Sequence, residues 1–313
     1  MKTTPVTPAD LPASVIAVPP LARNKDLSLD PDNNRILIRH MEAGGVRSLM
    51  YGGNANFYHL PLSQYAATLD FLAQAAGADT WVIPSAGADY GKLMEQAAVL
   101  RARDFPTAMA LPFGQPSNDS GVATSLRRFA DRFGKPIIAY VKGEGYIKPA
   151  TLGALARDGV ICAIKYAIVR SDPTKDAYLD ALLSQVDRSL VISGIGERPA
   201  IVHLRDFGLR SFTSGSVCVA PRGSMKLLAL LKAKRWDDAE KIRAAYLPLE
   251  DQRDALGPIR VLHDAVTLAG IADLGPMLPM ISNLEAAERP AVQAAAGALL
   301  KHDRALAGNK VAA

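Results

Sequence analysis

Short apolar runs alternate with longer segments of helical repeat over most of the chain. The short runs are rich in β-branched residues and end near Gly, Pro, Asn or Ser, which is typical of buried strands. In the longer segments apolar residues recur every three or four positions, which is typical of helices packed on one face. The predicted strands are residues 14–18, 48–52, 80–84, 108–112, 137–141, 161–167, 190–193 and 211–214. The predicted helices between them are residues 31–43, 61–76, 89–103, 120–133, 149–157, 174–186 and 199–207.

This succession of eight strands predicts the fold class. Strands that are apolar throughout need cover on both faces, which favours parallel pairing. Eight strand–helix units match a closed (β/α)8 TIM barrel better than an open doubly wound sheet, and no glycine-rich dinucleotide motif follows an early strand. We therefore predict an α/β protein whose barrel is formed by residues 1–221. Residues 222–313 are predicted to be the last barrel helix and a helical extension, with residues 236–303 helical throughout.

Composition and charge exclude several classes of protein. The chain is 49% hydrophobic and 21% charged, with a net charge of +5, and its one basic cluster, residues 232–235, is expected to be a solvated helix face rather than a nucleic-acid site. Cys162 and Cys218 lie in apolar runs and are expected to be reduced, which favours a cytoplasmic location. The five histidines do not cluster, so no metal site is predicted. No long apolar segment and no signal-peptide pattern occur, so no membrane partner is expected.

One charged residue interrupts the apolar run of residues 160–169. Strand alternation places Lys165 on the same face as Ile161 and Ala163. An ammonium group held among such residues loses hydration, so its pKa falls toward neutrality and the amine becomes a nucleophile for a carbonyl carbon. Alternatively, Lys165 lies at the mouth of the strand, extends to water and pairs with a carboxylate.

Small and polar residues gather at the strand ends, where barrel enzymes place their active sites. Tyr140 and Lys165 lie on neighbouring predicted strands, so a phenol and an amine can reach one substrate, although Tyr140 can also be a packed aromatic residue with a backbone hydrogen bond. The turn at residues 52–54 offers backbone N–H groups and the Asn54 amide to a carboxylate, or is simply a tight turn. The candidate catalytic residues are Lys165 and Tyr140, and the candidate substrate-binding residues are Gly52, Gly53, Asn54, Gly194 and Thr213.

Two further residues follow the seventh predicted strand. Glu197 and Arg198 are polar groups that could contact a substrate hydroxyl or carboxylate. The simpler interpretation is that they begin a helix, because Pro199 follows them and proline is favoured in the first helical turn.

These segments resemble one family of barrel enzymes. Residues 52–60 are similar to the Gly-Thr-Thr-Gly-Glu loop of the dihydrodipicolinate synthase and N-acetylneuraminate lyase superfamily, the class I pyruvate-type aldolases. Tyr140 falls on the family tyrosine and residues 163–165 on its Gly-x-Lys segment. Ser193-Gly194 and residues 214–221 resemble the segments at its seventh and eighth strands. The resemblance implies a Schiff-base lysine at Lys165, a proton-shuttling Tyr140, no cofactor, and a homo-oligomer, either a homotetramer or a dimer.

The chain departs from that family where substrates are selected. Gly53 and Asn54 replace two carboxylate-binding threonines, and Asn56 replaces the glutamate of the same loop. The family arginine for a second substrate has no counterpart near Gly145. The segment at residues 84–87 lacks the tyrosines that reach a neighbouring subunit. Lys142 and Lys148 are alternative sources of positive charge, or solvated loop residues.

The sequence therefore predicts an enzyme, a Schiff-base-forming lyase, aldolase or dehydratase acting on a 2-keto acid of the pyruvate or 2-keto-3-deoxy sugar acid type. The narrower alternative is 4-hydroxy-tetrahydrodipicolinate synthase itself, acting on pyruvate and aspartate semialdehyde. A different class of alternative is a non-catalytic barrel that binds a small acid, because fold alone does not guarantee activity. A phosphate-binding barrel has only faint support, from the glycines of residues 193–196 and 214–216.

Overall fold

Eight parallel strands close into a barrel in the computed structural model, which describes residues 1–308. The strands pair in chain order and the first pairs with the last. They are β1 Ile16–Ala17, β2 Ser48–Tyr51, β3 Trp81–Ala86, β4 Met109–Ala110, β5 Ile137–Val141, β6 Ile161–Tyr166, β7 Val191–Ser193 and β8 Ser211–Ser214. The predicted TIM barrel is therefore confirmed.

Some strand bounds differ from those predicted. β1 and β4 are shorter than predicted, and Pro19 and Pro112 near their ends lack the N–H group that would extend the ladder. β3 is longer than predicted, because Ser85 and Ala86 continue the strand and pair with β4. Ser85 and Ala86, which were predicted to follow the third strand, are thus buried strand residues.

Helices surround the barrel and begin at recognisable caps. In the first of them the Asp30 side chain accepts hydrogen bonds from the N–H groups of Asp32 and Asn33, and Pro31 occupies the first turn. The barrel helices are α1 Pro31–Ala43, α2 Leu62–Ala75, α3 Tyr90–Arg101, α4 Asp119–Phe133, α5 Pro149–Arg157, α6 Ala177–Leu183, α7 Ala200–Arg205 and α8 Pro221–Lys232. Each predicted helix is present, and α6 and α7 are shorter than predicted.

The C-terminal region is helical only in part. It contains α9 Trp236–Ala244, α10 Leu247–Leu256, α11 Pro258–Leu268 and α12 Arg289–Gly308. The prediction that residues 236–303 are helical throughout is wrong for residues 269–288. Gly270 and Gly275 adopt positive φ angles of 71° and 62°, which a helix cannot contain. Prolines at positions 276 and 279 remove further helical donors.

The non-helical segment returns the chain to the barrel. The Arg23 N–H donates to the carbonyl of Leu274 at 2.9 Å, and the Asp273 N–H donates to the Asn33 side chain at 2.9 Å. A Cβ at Gly275 would lie 2.0 Å from the carbonyl oxygen of Arg23. Glycine is required there both for the φ angle and for this close approach.

Helix α11 covers the mouth of the barrel where the strands end. The Ile259 side chain lies 3.8 Å from the position of a Cβ at Gly53, next to the loop after β2. The Leu262 side chain would be 2.3 Å from a Cβ at Gly215, just after β8. The absence of a side chain at Gly215 therefore lets α11 approach the strand ends, and the extension becomes one wall of the barrel mouth.

Two further observations concern the described part of the chain. Among residues 1–308, no helix is both long and apolar enough to cross a membrane. The same residues contain no group of three His, Cys, Asp or Glu side chains placed to hold a metal ion.

We expect Gly275→Ala to lower the free energy of unfolding by at least about 2 kcal/mol, because alanine must adopt a positive φ and displace the Arg23 backbone. Urea unfolding followed by circular dichroism measures the change. Gly297→Ala is the matched control, because Gly297 is an exposed α12 residue with open space around it, and it should stabilise the protein by about 0.5–1 kcal/mol. Equal effects of the two variants would contradict the role given to Gly275.

Candidate active site

A cavity of about 410 Å³ opens at the C-terminal ends of the strands, beneath α11. All the residues predicted from the sequence to form the site line it, namely Lys165, Tyr140, Gly52, Gly53, Asn54, Gly194 and Thr213. The structure thus brings together groups from five different strand ends. Lys142 also lines the cavity, whereas Lys148 lies at the start of α5 away from it.

The Lys165 side chain is buried, with 6% of its surface exposed. Burial removes water from the ammonium group and lowers its pKa to about 7, and the nearby charge of Lys142 adds a smaller lowering effect. No carboxylate within residues 1–308 forms an ion pair with it. The alternative of a lysine that extends to water and pairs with an acid does not describe this geometry. At neutral pH about half of these amines are unprotonated.

Tyr140 is the register partner of Lys165 in the pairing of β5 with β6. The Lys165 Nζ lies 4.4 Å from the centroid of the Tyr140 ring, so the aromatic face contacts the amine directly. Burial raises the pKa of Tyr140 to about 12, so its hydroxyl keeps its proton at neutral pH. Among the described residues this hydroxyl has no hydrogen-bond partner, which leaves it available to a molecule in the cavity.

The loop after β2 forms the opposite wall. Gly53–Ala55 is one turn of 3-10 helix, and the N–H groups of Ala55 and Phe57 both donate to the carbonyl of Gly52. The N–H groups of Gly53 and Asn54 have no backbone acceptor within residues 1–308. The Asn54 amide donates to the carbonyl of Val18 at 2.8 Å, so this side chain fixes the loop against the end of β1. The loop is therefore a turn fixed by the Asn54 hydrogen bond, and the N–H groups of Gly53 and Asn54 remain available as donors.

Gly194 and Thr213 complete the floor. A Cβ at Gly194 would lie 2.6 Å from the carbonyl of Tyr166 and 3.0 Å from the Lys165 Cγ. Only glycine fits here, because the end of β7 passes directly beside the lysine stem. Thr213 is buried on β8.

No protein-family model and no curated protein matches this sequence. Solved structures do match the fold. A dihydrodipicolinate synthase from Bacillus clausii is 20% identical with a TM-score of 0.81, over 92% of this chain and 98% of that one. A prophage protein of the dihydrodipicolinic acid synthase family from E. coli K12, in complex with pyruvate, is 18% identical with a TM-score of 0.79, over 93% and 98%. PhdJ, bound to a substrate intermediate, is 18% identical with a TM-score of 0.81, over 97% and 99%.

The chain has the fold of the dihydrodipicolinate synthase family.

The resemblance predicted from the sequence is thus confirmed at the level of the fold, over nearly the whole chain. The matched structures extend through the C-terminal helices as well as the barrel, because they cover more than nine tenths of this chain. At such identities the shared architecture says nothing of the substrate. The roles of Lys165 and Tyr140 remain predictions.

Several lining residues were missed by the sequence reasoning. Ile195, Arg253, Asp254, Ile259 and Leu262 all line the cavity. Four of the five come from α10 and α11, far from any strand end in sequence, so no strand-end pattern could have found them. Tyr58 also lines the cavity, and it was visible only as part of the loop resembling the family motif.

Glu197 and Arg198 do not line the cavity that contains Lys165. They directly precede α7, as the simpler interpretation predicted. Glu197 is fully buried and accepts a hydrogen bond from the Ser224 hydroxyl at 2.6 Å. Its N–H donates to Glu250 at 2.9 Å. Burial raises the pKa of both carboxyl groups. Arg253 donates to Glu250 and to the carbonyl of Ile195, which anchors the end of β7 beside the cavity.

We expect Lys165→Met to raise the free energy of unfolding by roughly 2–4 kcal/mol at pH 6.5, because it removes a buried ammonium group with no counter-ion. The folded-state pKa lies below the unfolded value of 10.5, so the unfolded chain binds the extra proton between pH 7 and 10.5. The stability of the unmodified protein therefore rises with pH across that window, and the advantage of the variant shrinks.

Urea unfolding at pH 6.5 and at pH 10 measures this change. Lys142→Met is the control, because Lys142 is exposed at the same cavity and its replacement should change stability little at either pH. A Lys165→Met variant that is less stable than the unmodified protein at pH 6.5 would contradict the unpaired burial of this amine.

Proposed function

We propose that the protein is a class I lyase or aldolase that forms an imine between Lys165 and a 2-keto acid. The observation that supports this most is the buried amine, whose pKa of about 7 makes it a nucleophile at neutral pH without an adjacent base. The fold shared with a family member solved in complex with pyruvate supports the same class of substrate.

The proposed chemistry begins with attack of the neutral Lys165 amine on the C2 carbonyl carbon. The carbonyl oxygen takes up a proton, and the carbinolamine loses water to give the imine. Tyr140 lies beside the amine, and its hydroxyl supplies the proton to the leaving oxygen and receives it again in hydrolysis. The protonated imine then accepts the electron pair released when the bond beyond C3 is broken, or when a C3 proton is removed.

The carboxylate of the keto acid is assigned to the loop after β2. The free N–H groups of Gly53 and Asn54 belong to the 3-10 turn at Gly53–Ala55, and both residues line the same cavity as Lys165. Backbone donors of this kind replace the two threonine hydroxyls that the family resemblance would place there. Lys142, exposed at the cavity, adds positive charge that favours an acid substrate.

The alternative of a non-catalytic acid-binding barrel shares the cavity and differs in the reactivity of the lysine. The narrower alternative is dihydrodipicolinate synthase itself, the name carried by several structures with this fold. The sequence lacks the family arginine for the second substrate, and a side chain at Gly145 would point into open space. Arg253 does not replace it, because its guanidinium group is engaged by Glu250 and Ile195.

We expect sodium borohydride to trap pyruvate covalently on Lys165, with a rate that rises with pH through a midpoint near 7. The rate follows the unprotonated fraction of the amine, so an ordinary lysine would show a midpoint near 10.4. Peptide mass spectrometry locates the adduct. Lys142→Ala should be labelled normally and Lys165→Ala should not be labelled. An adduct on Lys142, or no adduct with any 2-keto acid, would exclude the proposed mechanism and favour the acid-binding barrel.

We expect Tyr140→Phe to slow imine formation by about 10²–10⁴-fold, because the ring remains beside the amine while the proton donor is lost. The rate is measured by mixing the protein with pyruvate, adding borohydride at successive times and quantifying the adduct. Tyr146→Phe is the matched control, since Tyr146 follows the same strand but does not line the cavity, and its rate should stay within about twofold. Equal rates in both variants would show that another group moves the proton.

A further inference from the structure

The proposed function leaves open what the keto acid carries beyond C3. Resting on that function, we propose that the cavity selects 2-keto acids with an uncharged hydrophobic substituent, aryl or alkyl, over polyhydroxylated sugar acids and dicarboxylates. The proposal depends on which residues line the cavity away from Lys165, and on whether their polar groups already have hydrogen-bond or ion-pair partners.

The wall beyond the lysine is built of apolar side chains from several elements. They come from the end of β1, the segments after β6 and β7, and the beginning of α11. These residues are Val18, Ala167, Val169, Ile195, Pro258, Ile259 and Leu262. Together they surround the space that a substituent on C3 or C4 would occupy if C2 is bonded to Lys165. Burying apolar atoms there is favourable by about 25 cal/mol per Å² of area removed from water.

An aromatic side chain contributes to the same wall. Tyr58 lines the cavity, and its ring lies 3.4 Å from the position of a Cβ at Gly53. Gly53 therefore leaves the ring face unobstructed on that side. Burial raises the pKa of Tyr58 above its usual value, so the ring is uncharged across the neutral range. Such a surface suits an apolar or aromatic substituent.

Several polar groups that line the cavity are already engaged. Arg253 donates to the carbonyl of Ile195 and to Glu250, and Asp254 pairs with Arg198 at 3.2 Å. The Asn54 amide donates to the carbonyl of Val18. A sugar acid would bring several hydroxyl groups to a surface with few free partners, and each unpaired polar group would lose its hydration at a cost. A second carboxylate at this wall would meet the negative charge of Asp254, whereas the positive charge of Lys142 is assigned to the first carboxylate.

The cavity has room for a ligand larger than pyruvate. Cavities of about 300–1,000 Å³ hold drug-sized ligands, and this one has about 410 Å³. Pyruvate bound to Lys165 would fill a small part of that space. A larger substituent lying against α11 would fill the remainder, and α11 thus becomes the element that determines which keto acids are accepted.

Competition in the borohydride reaction tests the selection directly. The probes are 2-oxo-4-phenylbutanoate, 2-keto-3-deoxygluconate and 2-oxoglutarate, each titrated against a fixed amount of pyruvate, with the adducts on Lys165 distinguished by mass. We expect the phenyl acid to reach half of the labelling at a concentration at least about tenfold lower than either of the others, since tenfold corresponds to about 1.4 kcal/mol. Equal or better labelling by the sugar acid or the dicarboxylate would overturn the proposal.

Variants of the apolar wall provide the second readout. Ile259→Asn should raise the ratio of the phenyl acid's half-labelling concentration to that of pyruvate by about fivefold or more, because the larger acid depends on the α11 wall more than pyruvate does. Ile36→Asn is the matched control on the exposed face of α1, and neither concentration should change. If Ile259→Asn no longer labels with pyruvate and has lost its helical signal, Val169→Asn replaces it, because Val169 is 75% exposed at the same mouth and tolerates a polar side chain.

Different results would contradict the proposed function and the proposed substrate class. Absence of an adduct with pyruvate and with all three probes in the unmodified protein would remove the proposed function itself. A pyruvate adduct with no preference for the phenyl acid, or with a preference unchanged by Ile259→Asn and Val169→Asn, would leave the imine chemistry in place and overturn only the substrate class.

Discussion

Burial of one amine without a counter-ion is the constraint on which the site depends. The β5–β6 register places Tyr140 beside Lys165, and the aromatic face is the closest favourable contact that the ammonium form has. That contact is worth about 0.5–2 kcal/mol, which does not offset the loss of hydration. The lowered pKa of about 7 is the result. The barrel must hold this unfavourable group in place through the packing of the strands around it, so the proposed reactivity of the amine and its local cost to stability have one cause.

The hydrophobic pattern was sufficient to predict the barrel, because each strand is apolar on both faces and each is followed by a helical repeat. It was also sufficient to select Lys165, since a lysine inside an apolar strand conflicts with its surroundings and that conflict is visible in sequence. Tyr140 was selected because it lies on the neighbouring predicted strand and falls on the family tyrosine. The non-helical segment at residues 269–288 was missed because its alanines and leucines favour helix locally. The positive φ angles of Gly270 and Gly275 override that local preference.

The other missed residues have a different explanation. Ile259 and Leu262 show an ordinary helical repeat, and nothing in that repeat indicates that one face lies over the strand ends. Their position follows from packing, since Gly215 lacks the side chain that would keep α11 away. A glycine in a strand-end loop can be read as a turn or as a binding residue, and only the position of α11 shows that it is also a packing contact.

The two ends of the cavity are thus built by different parts of the fold. The amine and the phenol belong to adjacent strands of the closed barrel, where a change in one strand disturbs the register of both neighbours. The apolar wall belongs largely to a surface helix of the extension, which contacts the barrel through side chains and two glycines. Substitutions on α11 can alter the wall without moving Lys165, because α11 takes no part in the hydrogen-bonded pairing of the strands. The departures from the family motifs lie instead at strand ends, at residues 53, 54, 56, 84–87 and 145, while Lys165 and Tyr140 keep the positions that the resemblance predicts.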